Sequence, residues 1–455
     1  MRLKVVINAA SAKMGGAVTY ITNVLRCLPG PESGYEFEVF LPPETARGQV
    51  GLARNVHLLV TNIGHASWWK RLWWEQITLR SHLRKTAAGL LFSTGNFGMF
   101  RCPVRQVLLV CNALYFSKIY REVFVPRHTW RVRAAFRLRR WLVRRSAESC
   151  DVVMTPTQAL LDDLRPEAKL GKAVVNPYGV AEEDFTGCGK RLQNCHSERS
   201  EESGPVHFQE DTQSAILRFA QNDSERAQDD NRGTIFSSLS PQTVEGASPA
   251  PGGGCSSVIR LVFVSLYAEH KNLATLLEAI RLLNRDGGRK FLLKTTVNPA
   301  WKDAAWTTTY RDDLALAGQT GVAPWVEFVG PFDRAEALRL YREADIFVFP
   351  SLVESFGHPL AEAMAAGLPI AAADTPVNRE VCGSAAVYFQ PLSPEDLARK
   401  VGRLAADPPL RQSLGVAGYR RAAAAPGWDE HVRRVLEAAK VPHLRQGRNM
   451  QALSF

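Results

Sequence analysis

Several features are missing from this sequence, and each absence narrows what the chain can do. No stretch of eighteen apolar residues occurs in its 455 residues, so no transmembrane helix is expected and any contact with a membrane would be peripheral. The eight cysteines, Cys27, Cys102, Cys111, Cys150, Cys188, Cys195, Cys255 and Cys382, have neither the paired spacing of a zinc site nor the density of a disulfide framework. A reducing compartment and a cytoplasmic location are expected, extending to the inner face of the plasma membrane. Met1 to Ala12 carries Arg2, Lys4 and an Ala-Ser-Ala triplet, but its apolar core is short and broken by Asn8. It reads as a first buried strand and not as a secretory leader. An aspartate-rich metal motif is also missing, and no metal is expected.

What is present fits an α/β protein. Hydrophobic residues make up 45% of the chain and charged residues 22%, and the length exceeds one comfortable core, which predicts two domains. Strand-like runs at Leu3 to Ala9, Glu36 to Leu41, Val56 to Val60, Gly89 to Ser93, Val107 to Val110 and Val152 to Thr155 alternate with helical patterns. A second series runs through Ile259 to Ser265, Phe291 to Thr296, Val326 to Val329, Ile346 to Pro350, Pro369 to Ala372 and Ala386 to Phe389. Such alternation predicts two doubly wound lobes with parallel sheets, placed at 1–175 and 258–425. From 186 to 257 the composition shifts to Ser, Gln, Asn, Asp, Glu, Pro and Gly, which predicts a disordered low-complexity insertion. Its phrases Cys195 to Ser203 and Ile216 to Glu225 resemble translated bacterial repeat elements. Without it about 380 residues remain, a natural size for two Rossmann-like units.

The net charge of +11 is concentrated. Lys118 to Arg145 holds ten Lys or Arg against the single Glu122, with Trp130 and Trp141 among them, and Trp68, Trp69, Trp73 and Trp74 stand beside Lys70 and Arg71. Two readings compete: contact with an anionic membrane surface, and a solvated helix face whose tryptophans anchor it to the core. No nucleic-acid recognition motif accompanies the charge, and nucleic acid is not an expected partner.

The chemistry concentrates in Ala344 to Ala372, ADIFVFPSLVESFGHPLAEAMAAGLPIAA, which reads as strand, loop, helix and strand. Backbone N–H groups around Phe356, Gly357 and His358 would emerge from the helix start as an anion site, Gly357 permits close approach, and Pro359 suits the first turn. A pyrophosphate is the natural guest. Glu354 and Glu362, at most about 12 Å apart along a helix axis, bracket that start, and a carboxylate on each side can accept hydroxyl hydrogen bonds from a sugar and a ribose.

This stretch resembles the family 4 retaining glycosyltransferases of GT-B fold, the glycosyl transferases group 1, whose hallmark is a pair of glutamates at this spacing. The resemblance implies two Rossmann-like doubly wound domains facing a cleft, with a C-terminal helix crossing back to the first; Pro426 to Lys440 resembles that helix, within a last segment 426–455. It also implies that Glu362 binds the nucleotide ribose, while Glu354 contacts the donor sugar and supports a developing oxocarbenium ion. Gly15 and Gly16 resemble the family's first-lobe glycine loop, expected near a phosphate or the acceptor. Lys172 to Phe185 resembles the interlobe segment. Phe263 to Ile280, with Ser265, His270 and Lys271, resembles the strand and loop that give an Arg and a Lys to the pyrophosphate; Lys271 is present, but Leu266 stands where the Arg is expected. Cys111-Asn112 replaces a His-Asp pair beside the sugar, leaving Asn112 to bond a donor hydroxyl, and the loop Ser93 to Gly98, with Asn96, is expected to face the cleft.

The implied reaction is retaining transfer of a hexosyl group, mannosyl among the options, from a nucleotide-diphosphate sugar to a hydroxyl of a carbohydrate or lipid-linked acceptor, in cell-surface polysaccharide or glycolipid synthesis. No cofactor beyond the donor is expected. Two other readings use the same residues, a sugar-nucleotide epimerase and a catalytically impaired donor-binding protein.

Overall fold

Runs of β-branched, leucine and phenylalanine side chains, such as LVF in Ile259–Phe263 and IFVF in Ile346–Phe349, form the strands of two separate parallel sheets. The computed structural model describes residues 2–13, 15–180, 258–285, 288–297, 310–319, 321–330 and 334–438; the 186–257 insertion and the end of the 426–455 segment lie outside the described residues. The first sheet holds β1 (Leu3–Asn8), β2 (Tyr35–Leu41), β3 (Val56–Val60), β4 (Leu90–Ser93), β5 (Arg105–Leu109), β6 (Val152–Thr155) and β7 (Lys172–Val175) in the order 3-2-1-4-5-6-7. The second holds β8 (Ile259–Phe263), β9 (Phe291–Thr295), β10 (Val326–Phe328), β11 (Ile346–Phe349), β12 (Ile370–Ala373) and β13 (Ala386–Phe389) in the order 10-9-8-11-12-13. Strands β4, β6, β11 and β12 are buried at every position, as parallel strands covered by helices on both faces must be. β7 is absent from the strands read from sequence, because its residues are only partly buried at the sheet edge and carry a weak apolar signal.

The helices that shape the cleft and its flanks are α1 (Gly16–Arg26), α2 (Trp68–Trp74), α3 (Trp130–Glu148), α4 (Gln158–Leu164), α5 (His358–Ala365), α6 (Pro376–Cys382) and α7 (Trp428–Glu437). Strand order reverses between β1 and β4 and again between β8 and β11. The crevice outside the carboxyl ends of such strands is where open α/β sheets bind ligands.

α7 follows the second lobe yet packs on α1 of the first. Its buried Trp428 and His431 join Tyr20, Tyr178, Phe356 and His358 in one aromatic cluster. The Tyr178 ring is nearly parallel to His358 at 4.9 Å and to Trp428 at 5.8 Å. His431 Nδ1 lies 2.9 Å from the Pro177 carbonyl, which can only accept, so Nδ1 carries the proton and Nε2 accepts from the Tyr20 hydroxyl at 2.9 Å. Asn176 Nδ2 donates to the His431 carbonyl at 3.1 Å. Two further bridges join the lobes. Thr157 Oγ1 donates to the Ser355 carbonyl at 2.9 Å, and Glu380 of α6 accepts from the Gln158 and Ala159 N–H groups at 2.6 and 2.7 Å, placing a carboxylate at the positive start of α4.

Two buried titratable groups set opposite pH slopes. Burial pushes the Glu75 carboxyl up to about 7 against the opposing Arg71 charge and the bond from Asn8 Nδ2, while burial pushes His431 down to about 4. Between pH 4.5 and 7 the unfolded chain ionises Glu75 while the folded chain holds the proton, so this group costs stability as pH rises. Between pH 6.5 and 4 the unfolded chain protonates His431 while the folded chain resists, so that group costs stability as pH falls. Each contributes about 3 kcal/mol across its window. In urea titrations at pH 5 and pH 8, Glu75→Gln is expected to gain stability selectively at pH 8 and His431→Gln to change it selectively in favour of pH 5; equal shifts at both pH values would refute the assignment.

Candidate active site

The reversal between β8 and β11 is the focus of the second lobe. The loop after β8 forms a short turn at Glu269–Lys271 ending in Asn272, a left-handed residue at φ 58° whose Nδ2 donates to the Pro350 carbonyl at 3.3 Å. Leu352 N donates to the His270 carbonyl at 2.9 Å. These bonds lace the β8 loop to the β11 loop and bring two charges together: Lys271 Nζ donates to Glu354 Oε1 at 2.5 Å, with side chains 20% and 12% exposed. A charge-assisted contact this sheltered is stronger and more directional than an exposed pair.

α5 starts beside it. Gly357 is its N-cap at φ 80°, a left-handed conformation that favours glycine, and a Cβ there would lie 3.1 Å from Leu360 Cδ1, a tight contact. Pro359 occupies the first turn and has no N–H, Leu360 N and Ala361 N donate to the Gly357 carbonyl at 2.9 and 3.4 Å, and the N-cap adds no side chain; an anion at this helix start would meet the main chain at Phe356 to His358. The Phe356 and His358 rings themselves pack into the aromatic cluster. Glu362, in the second turn, accepts from the buried Tyr341 hydroxyl at 2.9 Å. It lines a narrow pocket with Thr19 and Asn23 of α1, His358 and Trp428. Lys271 thus stands in the loop after β8, and Glu354, the helix start and Glu362 follow β11, the two strands at which the order reverses.

The remaining residues singled out from sequence have varied surroundings. Gly15, at φ 58°, approaches Leu266, with a Cβ there only 3.0 Å from Leu266 Cδ1, and a Cβ on Gly16 would be 3.6 Å from His358 Cδ2. The glycine loop therefore closes on the second lobe's own site residues, and Leu266 fills space against it. Ser265 is tied inward: its N–H donates to Thr296 Oγ1 at 2.8 Å and its hydroxyl donates to the Leu266 carbonyl at 2.8 Å. His270 stays neutral, because burial and then the neighbouring Lys271 charge hold its pKa well below the usual value; it adds no positive charge to that of Lys271. Asn112 Oδ1 accepts from Leu114 N at 3.1 Å as a local cap. Asn96 does more than turn the chain, since its Oδ1 accepts from both Cys111 N and Asn112 N at 2.8 Å. Burial lifts the Cys111 thiol to about 11, so it stays protonated and cannot take over an imidazole's task.

Sequence reasoning missed Glu269. Its buried Oε1 accepts from the Tyr120 hydroxyl at 2.9 Å and lies 2.8 Å from His128 Nε2. This bridge between the lobes sits two residues from Lys271. Its partners are 149 and 141 residues away in the chain, so no local pattern announces it. Among the described residues no group of three or more His, Cys, Asp or Glu is placed to hold a metal ion.

Two parallel-sheet Rossmann-like lobes with a last helix returning to the first lobe are the GT-B architecture. Residues 258–421, the second lobe, match the model of the family described as glycosyl transferases group 1. Over 124 residues the chain is 38% identical to the D-inositol 3-phosphate glycosyltransferase of Thermomonospora curvata, an alignment spanning 27% of this chain and 28% of that relative. Two solved structures share the fold along nearly their whole length: sucrose-phosphate synthase from Thermosynechococcus elongatus, with a TM-score of 0.62, 16% identity and 100% of each chain covered, and HepE of Anabaena in complex with UDP and glucose, with a TM-score of 0.61, 14% identity and 97% and 100% covered.

Proposed function

We propose that this chain transfers a hexosyl group from a nucleotide-diphosphate sugar to a hydroxyl acceptor with retention at the anomeric carbon, in the synthesis of a cell-surface polysaccharide or glycolipid. The observation that carries the reading is the Lys271–Glu354 pair beside the uncapped start of α5, at the strand reversal of a lobe that matches the glycosyl transferases group 1 model. In this reading the diphosphate lies on the main chain around Gly357 at the positive end of α5, with Lys271 stabilising the charge that grows on the leaving group. Glu362 accepts from the ribose hydroxyls. Glu354 faces the sugar and stabilises positive charge at the anomeric carbon as the bond to the diphosphate lengthens. The acceptor hydroxyl then attacks the face the diphosphate leaves, and a departing phosphate oxygen takes its proton.

A thermal-shift screen of nucleotide sugars tests donor binding first. A donor at a hundred times its Kd is expected to stabilise the chain by about 2.7 kcal/mol. Product analysis by NMR with the stabilising donor and candidate hydroxyl acceptors then reads the transfer and its anomeric configuration. Donor binding with no turnover would favour a binding protein, and a change in the donor sugar without an acceptor would favour an epimerase.

A further inference from the structure

One face of the first lobe is built against the usual rule for a solvated surface. α3 buries Leu142, Val143, Ser146 and Ala147 and turns Trp130, Ala134, Leu138 and Trp141 to solvent, positions i, i+4, i+8 and i+11 that fall on a single stripe. Trp130 is 68% exposed and Trp141 49%. Exposed Arg131, Arg137 and Arg145 border that stripe. A second stripe repeats the design on α2 and the turn after it: Trp69, Trp73 and Ile77, at i, i+4 and i+8, are 55%, 68% and 47% exposed, and Lys70 Nζ lies over the Trp69 ring at 5.4 Å. The Arg139 guanidinium sits over the Trp68 ring at 5.9 Å, so the two helices meet through this contact. Each stripe is an outward row of tryptophan and aliphatic side chains edged with cations. Core anchoring accounts for Trp68 and Trp74, which are partly covered, but not for these outward rings.

We infer that this face docks on the surface of an anionic lipid bilayer. Tryptophans fit the headgroup boundary, where an apolar ring and a polar N–H are both accommodated. The arginines and lysines around them match the negative surface potential, and outward apolar stripes flanked by cations are the pattern of helices that lie in the plane of a membrane. Among the described residues no helix is long and apolar enough to cross a membrane, so the contact is with the surface. The inference rests on these exposed faces and is independent of the donor chemistry; its assay contains no sugar.

The test is flotation of the full chain with vesicles of phosphatidylcholine alone and of phosphatidylcholine with about one third phosphatidylglycerol, a content that gives a strongly negative surface. The chain is expected to float with the anionic vesicles, to stay behind with neutral ones, and to be released by salt. A variant with Trp69, Trp73, Trp130 and Trp141 all changed to Ser is expected to lose flotation while keeping the circular dichroism and melting temperature of the parent. Changing Arg131, Arg137 and Arg145 to Gln is expected to weaken binding by about fivefold per charge removed. Failure of the parent chain to float, flotation unchanged in both variants, or a face whose same residues instead govern binding to nucleic acid or self-association would overturn the inference.

Discussion

Glu354→Gln is expected to lower the rate of hexosyl transfer by about a hundredfold to a thousandfold, the loss that follows removal of one fixed electrostatic stabiliser from a sheltered site. The substitution keeps the shape of the side chain and an oxygen that can still accept from Lys271 Nζ, so donor binding should change far less than kcat. The pair itself complicates the reading, since Glu354 holds Lys271 at 2.5 Å and its loss also frees the lysine. Lys271→Met alone and the double variant resolve this. If Glu354 acts on the sugar and Lys271 on the diphosphate, the double variant is expected to be slower than either single one. A double variant no slower than Lys271→Met would mean that Glu354 serves only to position the lysine. A Glu354→Gln protein with parental kcat would remove the carboxylate from the mechanism altogether.

The largest loss of stability is expected at the aromatic cluster. Trp428 is buried between Tyr20, Tyr178 and His358, and truncation to Ala is expected to cost about 3 to 5 kcal/mol, read as a fall in the urea midpoint. Because the same ring stacks on the segment joining the lobes and on the histidine at the start of α5, Trp428→Ala should also weaken donor binding although the side chain is placed at the edge of the site. Gly179→Ala checks the cause independently. A Cβ there would collide with the backbone of Gly427 and Trp428, so this small addition is expected to destabilise by about 1 to 3 kcal/mol through overpacking. A variant that melts like the parent would show that α7 is not held where the structure has it.

Much of this architecture is written locally. Strands read as short apolar runs, and twelve of the thirteen described were legible to within one or two residues; β7 was not, because its four residues begin on an exposed lysine and are only partly buried. The glutamate pair and the glycine at the start of α5 were also legible, since Gly357 is favoured by a positive φ, which is a local demand. Residues whose meaning depends on distant partners were harder. Ser265 and Asn112 looked available for a ligand, yet the Ser265 hydroxyl and the Asn112 side-chain oxygen are engaged by nearby main chain. Glu269 and His431 acquire their roles only from partners more than a hundred residues away, and sequence periodicity carries no trace of such pairings.

The docking of α7 on α1 has a consequence for biosynthesis. The N-terminal lobe emerges first from the ribosome, but the helix that completes its surface around Tyr20 is made 411 residues later. Until then the Tyr20 hydroxyl has no His431 to bond and the ring lacks its cover, so the early lobe waits as an unfinished body with apolar surface showing. Closing so long a loop is slow, and during the wait that surface is a place for a chaperone or for aggregation.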